Sequence, residues 1–287
     1  TRNDHRSIDM DAGIVFRPNR EWLVTWEPSL GIGRVYDHNG TLDLNPAKFD
    51  EGSIDEWLRP NLYFQLKAQT NVSFWYLTSR ERFGGYLFTG ISRTGFNINT
   101  RPSGSVSGGF SVNYGRSIYR RRARLYEEII PEAERQAPDD SIRVVNIRPV
   151  MGIATNFSAW LDLKLTKQFL VEPNIDFFKL NHRDGYLEAN PDEDREIYSG
   201  YIFRTRFNYQ FTREWFLRLV VQYDEFDDYM TLEPLVTYRV NPFTVFYVGM
   251  GTGHQNFDAS DHEDLSESRW KLTQRQFFAK FQYLFRI

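Results

Sequence analysis

Apolar and polar residues alternate with a period of two along much of this chain. The clearest example is the final segment, where every odd position from Phe277 to Ile287 is apolar and the even positions include Lys280, Gln282 and Arg286. Successive side chains of a β-strand point to opposite faces of the sheet. The pattern therefore predicts a strand with one aromatic face and one polar face.

The same alternation recurs in at least six earlier segments, at residues 8–17, 22–32, 61–68, 105–114, 201–211 and 215–224. Repeated two-faced strands without helices are typical of an outer-membrane barrel, with lipid outside and a polar lumen inside. We therefore predict an all-β fold, a transmembrane antiparallel β-barrel. The alternative is a soluble β-sandwich, in which the apolar faces would pack against a second sheet.

Residues 147–165 test this interpretation because they contain Pro149, Gly152 and Asn156, which are common in turns. The odd positions nevertheless stay largely apolar from one end of the segment to the other, whereas a hairpin turn would reset the phase. We expect one long strand. At about 3.3 Å per residue it would extend beyond an apolar band about 25 Å tall.

Short and long connections alternate between the predicted strands. Short ones fall at residues 17–20, 69–71, 100–104, 166–168, 212–213 and 241–242, and most of the long, polar ones at 37–56, 119–141, 181–195 and 256–268. Short turns face the periplasm in such barrels, so the C-terminus is expected on that side. The count is about 13 strands, whereas bacterial single-chain barrels have even numbers. We expect about 14 strands, with one missing upstream of Thr1, or a miscount near residues 86–95.

Composition is compatible with this fold. Charged residues make up 25% of the 287 residues and aromatic residues 16%, and no apolar run approaches the roughly 20 residues of a spanning helix. The first residues are polar and contain no signal peptide. We therefore expect a single outer-membrane barrel domain over residues 1–287, truncated at its N-terminus and located in the bacterial outer membrane. The net charge of −3 gives no indication of a nucleic-acid partner.

The sequence offers little catalytic or metal-binding chemistry. The five histidines fall in loops or at strand ends, and none has a second ligand at metal-binding spacing. The acidic loops at residues 190–194 and 258–264 lack the full calcium-loop signature and are read as solvated loops. We expect no metal, no cofactor and no enzymatic activity. A membrane-embedded hydrolase stays an alternative, because catalytic triads assemble in space.

Charged and polar residues on the second face of the strands are predicted to line the lumen. The residues selected are Lys67, Glu172, Asp176, Arg204, Arg206, Arg218, Gln222, Glu233 and Lys280. Both signs of charge are present, so this wall does not resemble a strongly ion-selective pore. The opposite charges either cross-link the wall and close the lumen or line a narrow channel with weak selectivity.

A basic cluster lies around the end of the strand that ends near residue 119. It contains Arg116, Arg120, Arg121, Arg122 and Arg124. At the outer edge of the membrane these arginines are candidates for contact with lipopolysaccharide phosphates through charge-assisted hydrogen bonds. The alternative is a solvated basic loop that pairs with neighbouring glutamates.

Four motifs resemble a known family: Gln222-Tyr223, the run from Tyr238 to Pro242, the run from Phe246 to Gly249, and the run from Tyr283 to Arg286. They resemble the C-terminal part of uncharacterised Gram-negative envelope proteins that carry an N-terminal family-9-like carbohydrate-binding domain before a predicted barrel. The resemblance is best over residues 196–287. It implies a larger parent protein and supplies no catalytic residues.

Three functions follow as expectations. The first is a barrel that acts as a membrane anchor or scaffold for a periplasmic domain or partner proteins. The second is a porin-like channel for small polar solutes. The third, with almost no support in the sequence, is a membrane-embedded hydrolase. Expected partners are outer-membrane lipid, lipopolysaccharide and an envelope protein.

Overall fold

The computed structural model describes residues 5–18, 20–37, 53–83, 86–120, 126–129, 142–145, 149–183, 195–257 and 269–284. The strands in these ranges are β1 His5–Gly13, β2 Leu23–Asp37, β3 Ser53–Leu66, β4 Thr70–Phe83, β5 Tyr86–Thr100, β6 Val106–Tyr119, β7 Tyr126–Ile129, β8 Ile142–Val145, β9 Val150–Lys164, β10 Phe169–His182, β11 Glu196–Gln210, β12 Trp215–Asp224, β13 Tyr229–Asn241, β14 Thr244–Phe257 and β15 Arg269–Tyr283. The described residues include no helix that is long and apolar enough to span a membrane.

Thirteen of these strands form one antiparallel sheet in which each strand pairs with the next along the chain. The exception is β6, which pairs with β9, because β7 and β8 form a separate two-stranded hairpin between them. The count of thirteen confirms the prediction. The hairpin was not predicted: β7 lies in the loop expected at residues 119–141 and β8 directly after it. Strands of four residues are too short for alternation to reveal them.

The long strand predicted from residue 147 is present as β9, Val150–Lys164. Gly152 lies inside this strand at a position that requires glycine, because a side chain there would press on Leu180 and the Asn181 carbonyl of β10. Asn156 donates a hydrogen bond to Asn113 of β6, 3.2 Å away. Residues that suggest a turn in isolation are therefore strand residues with specific neighbours. Residues 146–148 lie outside the described part.

The weak alternation at residues 86–95 does not reflect a miscount, because β5 is one continuous strand. Its pairing with β4 shifts register between Ser79 and Glu81. Two glycines near this point have positive φ, Gly90 at 71° and Gly115 at 146°. A bulge inserts an extra residue and breaks the simple two-residue period, which explains the poor pattern.

Three of the predicted short connections are held by a side chain inside the turn. Thr166 Oγ1 accepts hydrogen bonds from the amides of Gln168 and Phe169. Thr212 Oγ1 likewise accepts hydrogen bonds from the amides of Glu214 and Trp215. Such local side-chain bonds stabilise tight turns. All three turns lie at the same end of the sheet, since Asn241 Oδ1 likewise accepts from the Phe243 amide, 2.9 Å away, between β13 and β14.

One face of the sheet is apolar and open to the surroundings. Phe277 is 68% exposed, Val248 60% and Phe281 59%, and few large side chains of the described residues are fully buried. A sandwich would cover such a face with a second sheet, and no second sheet packs on it in the described part of the chain. The fold is therefore a transmembrane β-barrel wall with a lipid-facing surface. The sandwich alternative is wrong.

The two edge strands, β1 and β15, run in the same direction, because they are the first and thirteenth strands of a sheet in which direction alternates. No pairing joins β1 to β15 among the described residues. In a bilayer every backbone polar group needs a partner, so both edges require one. A single further strand, antiparallel to both, satisfies this geometry, and the total of about 14 strands stays a prediction.

Candidate functional site

The strand register gathers eight of the nine predicted lumen residues on one face of the sheet, here termed the polar face. Cross-strand partners share a face. The pairs that connect these residues are Glu172↔Arg206, Asp176↔Ile202, Arg204↔Gln222, Asn208↔Arg218, Val220↔Glu233 and Tyr247↔Lys280. The ninth residue, Lys67, lies in the turn after β3. In a transmembrane barrel the polar face lines the interior.

Glu172 of β10 is the centre of a small charged cluster. Its Oε2 atom accepts a hydrogen bond from Arg206 Nε at 2.7 Å, and its Oε1 atom accepts a second from Arg206 Nη2. Asn208 Nδ2 donates to the same carboxylate. Two parallel N–H···O bonds form the strong, directional type of arginine–carboxylate pair. The cluster therefore ties β10 to β11.

Serine and asparagine side chains continue this cross-linking over the other half of the polar face. The bonds are Asn61 to Ser29 (3.2 Å), Asn97 to Ser73 (3.1 Å), Ser111 to Asn97 (2.7 Å), Asn156 to Asn113 (3.2 Å) and Ser107 to Asp162 (3.0 Å). Each bond joins adjacent strands. Alternation along the sequence identifies these residues as polar, but pairing them requires the strand register.

Two predicted lumen arginines make no ion pair among the described residues. Arg204 and Arg218 are both exposed, and no carboxylate lies within 4.0 Å of either guanidinium. Arg204 borders a recess that also contains Trp160, Asp162 and Glu172. Positive charge is therefore available on this part of the polar face.

A cavity of about 780 Å³ opens on the polar face near β1 to β6. Trp57 and Trp75 border it, together with Asp9, Arg59 and Arg93. The sequence pattern did not single out these tryptophans, because an isolated tryptophan on a strand is usually a packing or girdle residue. Only the strand register shows which residues these tryptophans contact.

Three tryptophans on the polar face lie over glycines of neighbouring strands. The pairs are Trp57 with Gly33, Trp75 with Gly95 and Trp160 with Gly109. A side-chain carbon on any of these glycines would collide with the indole ring. An aromatic ring over a glycine shields the bare backbone and fixes strand pairing. Each indole ring therefore packs against the backbone of the neighbouring strand.

The structure places two of the five arginines that were candidates for lipopolysaccharide contact. Arg116 Nη1 donates to the Gly90 carbonyl, 3.4 Å away. Arg120 pairs with Glu81, and its guanidinium lies 5.6 Å from the centre of the Phe83 ring. The remaining three, Arg121, Arg122 and Arg124, lie outside the described residues, as do the acidic loops at 190–194 and 258–264.

The described residues do not form a cluster suited to a metal ion. No group of three or more His, Asp or Glu side chains there is placed to hold a metal ion. His182 and His254 lie in β10 and β14, with three strands between them. Two other histidines, His38 and His262, fall outside the described part of the chain.

Comparison with known proteins adds the following. No protein-family model and no curated protein matches the chain. A mutant of the ferric enterobactin receptor PfeA from Pseudomonas aeruginosa is similar in structure, with a TM-score of 0.49 and 11% identity over 88% of this chain and 42% of that chain. The same receptor in complex with BCV-L6 gives 0.48 and 11% over 89% and 43%. The CymD monoaromatic hydrocarbon channel gives 0.32 and 9% over 99% and 88%.

The chain spans about two fifths of the length of the receptor. The class of the protein rests on its own strands: one antiparallel sheet, an exposed apolar face and a cross-linked polar face together define a transmembrane β-barrel.

Proposed function

We propose that this chain is a barrel of the bacterial outer membrane that acts as a membrane anchor or scaffold for a periplasmic domain or partner proteins, without catalytic activity. The observation that carries the proposal is the cross-linked polar face. Serine, asparagine and Glu172 side chains bond to partners on adjacent strands instead of remaining free for a solute. Such a wall holds its shape, which suits an anchor.

Bilayer conductance tests this proposal. Protein refolded in detergent is first shown to be folded by heat-modifiable gel migration and is then added to a planar bilayer. The anchor function predicts insertion without defined conductance steps. Chemical cross-linking in the cell envelope is expected to trap a specific partner protein at the end of the sheet with short turns. Regular conductance steps together with an absence of any trapped partner would contradict the proposal.

A weakly selective channel is the second candidate, and the unpaired arginines favour it. Arg204 and Arg218 are exposed on the polar face and have no carboxylate partner among the described residues. If the interior conducts, their positive charge favours anions. Replacing both with glutamine is then expected to shift reversal potentials toward cation selectivity. Arg213→Gln, in the short turn between β11 and β12, is the matched control and should leave selectivity unchanged.

Contact with lipopolysaccharide through the arginines at the end of β6 belongs to the same proposal. Arg116 is the better placed of the two described candidates, because the Arg120 guanidinium already has the carboxylate of Glu81. Arg116→Gln is expected to reduce co-purifying lipopolysaccharide, measured by phosphate content, more than Arg120→Gln does. Equal retention by both variants would argue against these contacts.

A further inference from the structure

We infer that the cavity beside Trp57 and Trp75 is a binding site for a neutral saccharide. It goes beyond the anchor function, since binding inside the wall requires neither conduction nor a partner protein. The cavity has a volume of about 780 Å³ and lies on the polar face between β1 and β6. That size falls within the range of small-molecule sites.

The Trp75 indole provides a flat apolar surface inside this cavity. One of its faces covers Gly95, where any side chain would collide with the ring. Trp75 lines the cavity, and no ring or cation of the described residues stacks on its indole. A rigid aromatic face gives a large contact area at low entropic cost. The C–H face of a pyranose ring is the complement of such a surface.

Trp57 provides a second platform on the adjacent strand. Its indole covers Gly33, and the Arg59 guanidinium lies over the ring, 5.6 Å from its centre. A sugar that stacks on Trp57 therefore has to displace Arg59. Trp57 is four residues from Asn61, the cross-strand partner of Trp75, so the two positions are ~13 Å apart along the strand direction at about 3.3 Å per residue. This separation exceeds one pyranose ring, so the site fits an oligosaccharide.

Polar groups of every type that a sugar hydroxyl needs surround the two rings. Asp11 supplies acceptors and Arg59 and Arg93 supply donors. The Asn61 amide donates to Ser29, so its Oδ1 atom is the part that can accept from a sugar hydroxyl. The Arg93 Nε atom is buried and has no hydrogen-bond partner in the described part of the chain. An unsatisfied buried donor costs free energy unless a ligand or water accepts from it.

The balance of charge selects a neutral ligand. The charged groups that line the cavity are four carboxylates, Asp9, Asp11, Asp55 and Glu81, and three guanidinium groups, Arg59, Arg93 and Arg120. A single-sign lining would favour an ion of the opposite sign, and this mixture does not. The Arg59 guanidinium over the Trp57 ring would also repel a cationic ligand at this position.

Calorimetric titration of the refolded protein tests the inference, with maltohexaose, cellohexaose and chitohexaose as probes and polygalacturonate as the charged comparison. At least one neutral probe is expected to bind and to shift the tryptophan emission. Trp75→Ala is expected to weaken this binding about tenfold or more, because the stacking surface is lost. Trp75→Phe keeps a ring over Gly95, so its affinity for the probe should lie between that of the wild type and that of Trp75→Ala.

Phe278→Leu is the matched control, since Phe278 also covers a glycine, Gly249, but lies outside the cavity. It removes an aromatic–glycine pair and should leave saccharide affinity unchanged. If no neutral probe binds, or if Trp75→Phe and Phe278→Leu lower affinity equally, the site assignment is wrong. Tighter binding of polygalacturonate than of every neutral probe would overturn the ligand class.

Discussion

Arg206 and Glu172 face each other across the β10–β11 ladder and form a two-bond ion pair, with Arg206 Nε 2.7 Å from Glu172 Oε2. The carboxylate is largely shielded, with 17% of its side chain exposed, whereas the arginine is 46% exposed. The pair joins two strands that are neighbours both in sequence and in the sheet, so it reinforces their local pairing. Its contribution to folding stability is limited because water screens the arginine.

A double-mutant cycle with Glu172→Gln and Arg206→Gln measures the contribution of this ion pair to folding stability. We expect a coupling free energy of about 1 kcal/mol or less, because water screens the half-exposed arginine. Urea unfolding of the protein in lipid vesicles is the measurement. A coupling near zero would show that Asn208, which also donates to Glu172, satisfies the carboxylate by itself.

Gly95→Ala is expected to destabilise the sheet by about 1–3 kcal/mol, because the new methyl group would collide with the Trp75 indole and force it off the wall. Gly251→Ala is the matched control on β14, where nothing lies within 4 Å of the added carbon. That control should stay within about 0.5 kcal/mol of the wild type. Equal losses in the two variants, measured by unfolding, would refute a packing role for Trp75.

Val248→Arg places a charge on the exposed apolar face. Val248 is the fifth residue of β14, ~13 Å from the start of the strand at about 3.3 Å per residue, which is close to the middle of an apolar band about 25 Å tall. We expect a loss of about 2–4 kcal/mol in folding stability in a bilayer. Gln276→Arg, on the polar face of β15, should be tolerated. Full tolerance of Val248→Arg would contradict a lipid-facing assignment.

Hydrogen exchange tests the open edges. β13 has a partner on each side, whereas β15 pairs only with β14 among the described residues. In residues 1–287 on their own, backbone amides of β15 are expected to exchange faster than those of β13, measured by mass spectrometry on peptides from each strand. Equal protection would mean that a strand from elsewhere covers this edge.

The sequence predicted much of the fold, because alternation is a local property. In the last strand, Phe277, Phe281 and Tyr283 are apolar at every second position, and the structure exposes all three on one face. Thirteen sheet strands, the long β9 and the short turns at one end were all predicted in this way. Elements without a two-residue period, the β7–β8 hairpin and the bulge opposite Ser79, were not.

Which side chains meet depends on the register between neighbouring strands. Alternation assigns Glu172 and Trp75 to a face but says nothing about the residue opposite, because a partner's identity depends on register between strands that the turns and bulges set. Arg206 therefore pairs with Glu172, and Trp75 covers Gly95, for reasons that no single strand contains. Alternation within each strand sets the two faces of the wall. The cross-linked polar face and its tryptophan-lined cavity exist only once thirteen strands are aligned.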